Sequence, residues 1–309
     1  GATHARFAWV SSHDQALSHV RTLPCDAHES LLSAVQHYLR EESLSQPHKA
    51  ALGVATPVIG DKVAFTNRSW AFSIQELKQA LGLQVLRVMN DFEALAWALP
   101  GLGPDELLQL GGESSKTMQN LGLIGPGSGL GVSGLIAHAG HWHPISGEGG
   151  HVSLAVTHTL EWEVLQRLQK KWGHVSAERV LSGPGLVNLH AALSEMAGQA
   201  PGLQRPQDIG ELAFQHHQPA ALQAFELFAG WLGSVAADLA LTLGAQGGVY
   251  IGGGIVPRYR AWLANSAFRA RFESKGRFSD YLKKIPVYVI HAETPPALKG
   301  ARRVLTKDF

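Results

Sequence analysis

Glu148 and His151 lie in a glycine-rich segment, PISGEGGHVSLA (144–155), where neither side chain has an obvious place in a hydrophobic core. Glycines supply no side chains for packing, so we expect the polar side chains of this segment to face solvent or a ligand. A carboxylate accepts hydrogen bonds from hydroxyl groups, and a histidine can donate or accept one. The pair therefore suits a ligand rich in hydroxyl groups, such as a sugar.

The same segment allows a second interpretation, a zinc site, because His141, His143, Glu148 and His151 are close in sequence. However, His141 and His143 lie in a strand-like stretch, and the chain has no H-E-x-x-H helix. The single cysteine, Cys25, excludes a zinc site built from several cysteines. We therefore predict no metal site made of the protein's own side chains.

Asn90 and Asp91 follow the apolar stretch LQVLRVM, which is typical of a buried strand. Open α/β sheets bind ligands beyond the carboxyl ends of their strands, and an aspartate there can accept the proton of a substrate hydroxyl. Alternatively, Asp91 only caps the helix predicted for FEALAWALP. Glu178 has a similar alternative, as a first-turn glutamate behind an N-cap at Ser176. The residues alone leave both alternatives open.

Two glycine clusters could let backbone amides approach phosphate groups. One is GPGSGLG, centred on Gly127, Ser128 and Gly129, and the other is IGGGI (251–255). Neither is a P-loop, and neither fits G-x-G-x-x-G. The first cluster leads into a strand-like stretch, which allows either a β-hairpin whose tip binds phosphate or a plain tight turn. IGGGI is either a phosphate-binding loop or a strand end packed closely on a helix.

Apolar periodicity predicts the elements that must position these residues. Strand-like stretches such as ARFAWV and IPVYVIH alternate with amphipathic helical stretches such as ESLLSAVQHYLREE (29–42). Residues 219–245 are apolar on nearly all sides, which predicts a helix buried on several sides. The alternation of strands and helices predicts an α/β fold.

The composition limits the classes of function. The 309-residue chain has 26 Lys and Arg against 25 Asp and Glu, so its formal charge of +1 gives no electrostatic reason to expect nucleic acid or a membrane as a partner. We count no run of about 18 apolar residues, and therefore expect no membrane span. The first residues lack the order of a signal peptide. One cysteine fits a reducing compartment, so we expect a cytoplasmic protein.

Taken together, these stretches resemble the bacterial ATP-dependent glucokinase family. Each stretch is weak evidence alone, but the set is highly specific and follows the family's order over nearly the whole chain. The matching stretches are TNRSWAFS (66–73), NDFEALAWALP (90–100), GPGSGLGV (125–132), SGEGGHVSLA (146–155), HVSAERVLSGPGLVNL (174–189), GGVYIGGGIVPR (247–258) and GRFSDYLKKIPVYVI (276–290).

The resemblance implies the actin-like, hexokinase-like ATPase fold, with two α/β domains around a deep cleft. We expect residues 1–101 and 292–309 to form the small domain and residues 102–291 to form the large domain. The resemblance also implies phosphorylation of glucose at its 6-hydroxyl by ATP with Mg²⁺, at the entry to glycolysis. A homodimer that binds glucose and ATP is expected, since family members are often dimers.

The resemblance further assigns roles to single residues. Asp91 matches the catalytic base for the 6-hydroxyl. The residues that match sugar-binding positions are Asn90, Glu148, His151 and Glu178, together with Thr66 and Asn67 of the small domain. The residues that match nucleotide-binding positions are Thr3, Gly127, Ser128, Gly129, Gly253 and Gly254.

One departure from the family concerns the first phosphate loop. In the family this loop is Asp-x-Gly-Gly-Thr-Asn and follows a strand. The chain begins within the corresponding stretch, as GATHAR, and His4 stands where the family usually has Asn. We therefore expect about ten further residues before Gly1 in the natural protein, on the basis of typical strand lengths.

Other functions compete with a glucokinase. A sugar kinase or transcriptional repressor of the same superfamily usually carries a cysteine-rich zinc motif, which Cys25 alone cannot form. A non-catalytic or impaired sugar-binding protein is suggested by the incomplete first phosphate loop, although Asp91 argues against it because a binding protein needs no base. A related kinase that acts on another hexose is the third alternative.

Overall fold

The computed structural model of the chain describes residues 3–11, 16–65, 70–115, 117–200, 202 and 205–306. Contacts divide the chain into two compact units. Residues 1–103 and 292–309 form one, which we call the N-terminal unit, and residues 104–291 form the other, which we call the central unit.

Strands and helices alternate along most of the chain. The first part of the N-terminal unit contains β1 (His4–Val10), β2 (Leu17–Pro24), α1 (Leu31–Glu41), β3 (Lys49–Val54), β4 (Lys62–Ala64), β5 (Ala71–Ser73), α2 (Ile74–Ala80), β6 (Val85–Asn90) and α3 (Asp91–Ala98). The central unit contains β7 (Leu107–Gln109), β8 (Leu121–Pro126), β9 (Leu130–His138), β10 (His141–Gly147), α4 (Thr159–Trp172), α5 (Gly183–Met196), α6 (Pro206–Phe214), α7 (Pro219–Leu243), β11 (Gly248–Ile251), α8 (Arg260–Leu263), α9 (Phe268–Glu273), α10 (Ser279–Lys284) and β12 (Val287–Ile290). The chain then returns to the N-terminal unit with α11 (Pro296–Thr306).

The central unit is built on a mixed β-sheet. Its described residues contribute six strands in the order β10-β9-β8-β11-β12-β7. Strands β8, β11 and β12 run parallel to one another, while the other three are antiparallel to their neighbours. Every residue of β8 and β11 is buried, as expected for parallel strands that are covered on both faces. Because β8 and β11 are parallel neighbours, their C-terminal ends lie side by side on the same side of the sheet.

Helix α7 forms the centre of this unit's core and packs against α5, α9 and β8. Its buried side chains include Phe225, Phe228 and Trp231, which confirms the prediction of a helix buried on several sides. By length and composition α7 could cross a membrane, although scattered polar residues interrupt its apolar sequence. However, 72% of its most apolar window is buried inside the protein, as in a core helix.

The N-terminal unit contains three strand pairs within its described residues: β1 with β2, β3 with β6, and β4 with β5. Strand β1 and helix α1 occur where the sequence predicts them. Helix α11 packs across α3 at Gly300, where an added Cβ would lie 1.7 Å from the carbonyl oxygen of Ala94. Since α3 begins at Asp91, this close packing fixes the helix that carries the predicted base.

Candidate functional site

The two glycine clusters lie at the C-terminal ends of the neighbouring parallel strands β8 and β11, where Ile124 lies beside Ile251. The amide of Gly252 donates to the carbonyl oxygen of Ile124 at 2.9 Å. Gly253 has φ +83°, and a Cβ there would lie 2.2 Å from the carbonyl oxygen of Pro126, so only glycine fits. Carboxyl ends of parallel strands are where open α/β sheets bind their ligands.

The first glycine cluster forms a β-hairpin, as the sequence allows. Pro126 pairs with Leu130 across the turn, and the amide of Gly127 donates to the carbonyl oxygen of Gly129 at 2.8 Å. We call residues 126–130 the hairpin tip, and Ser128 is exposed at its end. Its hydroxyl and the neighbouring amides can therefore approach an anion from solvent.

The start of α5 packs on this hairpin tip. The amide of Gly183 donates to the carbonyl oxygen of Gly127 at 2.8 Å. Helix α5 begins behind an N-cap at Ser182, whose hydroxyl oxygen accepts from the amide of Gly185 at 3.0 Å. The first turn of the helix and the hairpin tip are thus joined through the backbone.

Glu178 contacts the hairpin tip through its side chain. Its Oε2 accepts a hydrogen bond from the amide of Leu130 at 2.8 Å. A Cβ on Gly129 would lie 2.4 Å from the same oxygen, so a larger residue there would push the carboxylate aside. Ser176 makes no side-chain capping hydrogen bond to the short 3-10 turn Ala177–Arg179. Ser176 is nevertheless the N-cap residue of this turn, and Glu178 lies in its first turn, as the alternative predicts. The hydrogen bond to Leu130 is a further contact that this alternative does not include.

Glu148 and His151 lie at the end of β10 and in the 3-10 turn that follows it, Gly149–His151. Both side chains are more than half exposed, at 62% and 59%, and the Glu148 Oε2 to His151 Nε2 distance is 3.9 Å. The prediction that these side chains face away from the core is confirmed.

The glycines of this segment serve close packing. A Cβ on Gly150 would lie 2.1 Å from the carbonyl oxygen of Leu130, and one on Gly149 would lie 2.8 Å from a methyl group of Val132. The segment that carries Glu148 and His151 therefore packs closely on the first residues of β9, at the end of the hairpin tip.

A short antiparallel pairing brings His151 close to Glu178. The amide of Ala177 donates to the carbonyl oxygen of Val152 at 2.9 Å, and that of Leu154 donates to Val175 at 3.0 Å. His151 and Glu178 are the next residues at the same end of this pairing. The structure thus gathers Glu148, His151 and Glu178 beside the hairpin tip in the central unit.

The histidines proposed for a zinc site lie in a strand, as expected. His141 and His143 belong to β10, and the His143 ring lies 6.2 Å from the ring of His138, between centroids. Within the described ranges, no three His, Cys, Asp or Glu side chains are grouped so that they could hold a metal ion.

Asn90 and Asp91 lie at the junction of β6 and α3 in the N-terminal unit, at the carboxyl end of a strand. The N-cap of α3 is Asn90, whose Oδ1 accepts from the amide of Phe92 at 2.8 Å. The alternative in which Asp91 caps this helix is therefore wrong, since Asp91 is its first residue. The Asn90 amide group points the other way, with Nδ2 3.5 Å from the carbonyl oxygen of Thr56.

Thr3, Thr66 and Asn67 are the other site residues that are predicted in this unit. Thr3 is exposed just before β1, and its carbonyl oxygen accepts from the amide of Cys25 at 3.0 Å. Thr66 and Asn67 lie outside the described residues.

Sequence reasoning missed three contributors to the site: Ser182, the Leu130 amide and Gly150. Ser182 could have been found, because a serine followed by Gly-Pro at a helix start is an N-cap signal. The Leu130 amide gives no signal in sequence, since its partner, Glu178, lies 48 positions away. Gly150 stands out as part of a glycine-rich segment, but its close contact with a strand carbonyl needs the tertiary structure.

Comparison with known proteins gives a consistent result. The family model described as "Glucokinase" matches residues 1–308. A glucokinase from Aromatoleum aromaticum is 51% identical over 306 residues, which cover 99% of this chain and 92% of the relative.

Solved structures of glucokinases share the fold. One from an Antarctic psychrotroph has a TM-score of 0.88 and 36% identity, covering 98% of this chain and 95% of its own. A ROK family glucokinase from Streptomyces griseus, solved in complex with glucose and AMPPNP, has a TM-score of 0.63 and 19% identity, with coverage of 98% and 96%. The predicted α/β fold of the hexokinase-like class is confirmed.

Proposed function

The chain belongs to the glucokinase family, as its sequence predicts, and we propose that it transfers the γ-phosphoryl group of ATP to the 6-hydroxyl of glucose. The products are glucose 6-phosphate and ADP. The observation that carries this proposal is the set of Glu148, His151 and Glu178 beside the hairpin tip. Hydroxyl-binding side chains thus adjoin a glycine-lined turn suited to phosphate.

Asp91 is the base in this proposal. Its carboxylate takes the proton of the 6-hydroxyl as the oxygen forms its bond to the γ-phosphorus and the bond to the ADP oxygen breaks. Phosphoryl transfer depends more on positioning and charge stabilisation than on covalent help, so one well-placed base is sufficient. Asn90 holds the sugar beside Asp91 with its amide group, because its Oδ1 is used by the helix cap.

Glu148, His151 and Glu178 bind the other hydroxyl groups of the sugar, and Thr66 and Asn67 complete the sugar-binding set. Carboxylates that accept from sugar hydroxyls leave an unpaired acceptor when a hydroxyl is missing. The site should therefore discriminate strongly against deoxy sugars.

The nucleotide is bound by the hairpin tip, through Gly127, Ser128 and Gly129, and by Gly253 and Gly254, with Thr3 on the phosphate side. Gly253 fits the role because a Cβ there would collide with the carbonyl oxygen of Pro126, so the backbone of this segment can lie close to a ligand only as glycine. Mg²⁺ enters as part of the MgATP substrate and neutralises phosphate charge. We further propose a cytoplasmic homodimer.

The test is a glucose phosphorylation assay with MgATP that measures glucose 6-phosphate directly. We expect one glucose 6-phosphate for each ADP formed and no turnover with 6-deoxyglucose, which lacks the accepting hydroxyl. ATP hydrolysis without glucose 6-phosphate, or glucose binding without ATP consumption, would contradict the proposal. The second outcome would instead support a sugar-binding protein.

A further inference from the structure

We infer that Glu178 has a second role, as a positioning residue that anchors the phosphate-binding hairpin tip in addition to binding the sugar. This inference rests on the proposed function, since it concerns the same site. The Glu178 carboxylate, which the proposal assigns to sugar binding, already accepts a hydrogen bond from the backbone amide of Leu130 at 2.8 Å, at the base of the hairpin tip.

The anchor is part of a continuous set of hydrogen bonds. The hydroxyl of Ser182, a residue only 2% exposed, donates to the carbonyl oxygen of Glu178 at 2.8 Å. The next residue, Gly183, donates its amide to the carbonyl oxygen of Gly127 at 2.8 Å. Residues 178–183 therefore hold both sides of the turn, Leu130 through the Glu178 side chain and Gly127 through the backbone.

The two oxygens of the carboxylate divide these roles. Oε2 is used by the Leu130 amide, whereas Oε1 accepts no hydrogen bond from any residue in the described part of the chain. A carboxylate can accept about four hydrogen bonds, so Oε1 can bind a sugar hydroxyl while Oε2 keeps the hairpin in place. A sugar that orders this side chain also orders the hairpin tip, and by linkage a bound nucleotide favours the sugar equally.

In the proposed function, the negatively charged Glu178 lies close to the phosphate groups of the nucleotide. Charge alone would repel the nucleotide, so electrostatics predict tighter binding when the carboxylate is removed. The anchoring role predicts the opposite for a variant that also loses the hydrogen-bond acceptor. Glutamine separates the two effects, because its side-chain oxygen can still accept the Leu130 amide without the charge.

The test compares MgADP binding by calorimetry, without glucose, in Glu178→Gln, Glu178→Ala and the wild type. We expect the Ala variant to bind ADP about tenfold more weakly than the Gln variant. Alanine removes the acceptor of the Leu130 amide, so the hydrogen bond that orders the hairpin tip is lost. Glu195→Ala is the matched control. It removes an exposed carboxylate near the far end of α5, which makes no hydrogen bond to the hairpin among the described residues, so its ADP affinity should stay within about twofold of wild type.

Hydrogen exchange of the Leu130 amide, followed by NMR, gives a second readout that does not depend on ligands. Exchange should be faster in Glu178→Ala than in the wild type and should stay slow in Glu178→Gln. Equal ADP affinities and equal exchange in the two Glu178 variants would overturn the inference alone. A wild-type protein that binds no MgADP would contradict the proposed function and the inference with it.

Discussion

Gly150 sets how closely the segment with Glu148 and His151 approaches strand β9. A Cβ at this position would lie 2.1 Å from the carbonyl oxygen of Leu130, a backbone atom that cannot move aside cheaply. We therefore expect Gly150→Ala to displace the segment and to weaken glucose binding at least about tenfold, the loss that follows when a hydroxyl-binding group is misplaced. Isothermal calorimetry with glucose measures this directly.

Gly147→Ala is the control for this prediction, because a Cβ there meets no heavy atom within 4 Å. Its glucose affinity should match that of the wild type. Equal glucose affinities for Gly150→Ala and Gly147→Ala would show that the close contact does not position Glu148 and His151 for glucose.

At the residue scale, the sequence predicts which side chains are candidates but not how they are held. Glu178 and Leu130 are 48 positions apart, and no local pattern joins them. A cap at Asp91 is one residue too late, because both asparagine and aspartate favour N-caps and only the backbone geometry distinguishes them.

At the element scale, a buried ion pair joins three helices of the central unit. Glu161 of α4 is fully buried and accepts from Arg271 of α9 at 2.8 Å, while the other guanidinium nitrogen of Arg271 donates to Ser234 of α7 at 3.0 Å. Removing one partner of a buried pair leaves an uncompensated charge. We expect Glu161→Ala to lower the free energy of unfolding by about 3–5 kcal/mol, measured by urea denaturation at pH 7.

Glu163→Ala, two residues away on the same helix, is the matched control. Its side chain forms no ion pair among the described residues, so its effect should stay below about 1 kcal/mol. A Glu161→Ala loss no larger than the control's would mean that the pair contributes little to holding the helices together.

A second element-scale prediction concerns the start of α2. The hydroxyl of Ser73 and the amide of Gln75 both donate to the carboxylate of Asp61, and these hydrogen bonds lower the pKa of Asp61 below its ordinary value of 3.8. A lowered folded-state pKa stabilises the fold above the unfolded pKa, and this stability is lost as pH falls through the folded value.

Asp61→Asn should therefore unfold at a lower temperature than the wild type at pH 7. The difference should stay constant from pH 7 to about pH 5 and should shrink from there to about pH 3, as the pH falls past the unfolded-state pKa toward the lowered folded-state pKa. Calorimetric unfolding midpoints across this range measure it. A difference that is constant over the range would place the effect in the shape of the side chain and not in its charge.

At the scale of the whole molecule, periodicity predicts the alternation of strands and helices and the buried helix α7, because each depends on local patterns. The strand order of the six-stranded sheet is not predictable in this way. β8 pairs with β11 across more than 120 positions of sequence, and that pairing is what brings the two glycine clusters together. The resemblance to the family predicts the overall fold. Only the tertiary contacts explain why glycine is required at Gly150 and Gly253.

The assignment of Asp91 as the base for phosphoryl transfer can be tested with Asp91→Asn. Asparagine keeps the size of the side chain and cannot accept the proton. We predict that kcat for glucose 6-phosphate formation falls by at least about 10³-fold, toward the upper part of the range for losing a general base. The dissociation constant for glucose should stay within about threefold, because this residue acts on the proton while other side chains bind the sugar. Asp105→Asn, at an exposed aspartate, should leave both values unchanged. Turnover near the wild-type rate in Asp91→Asn would exclude Asp91 as the base.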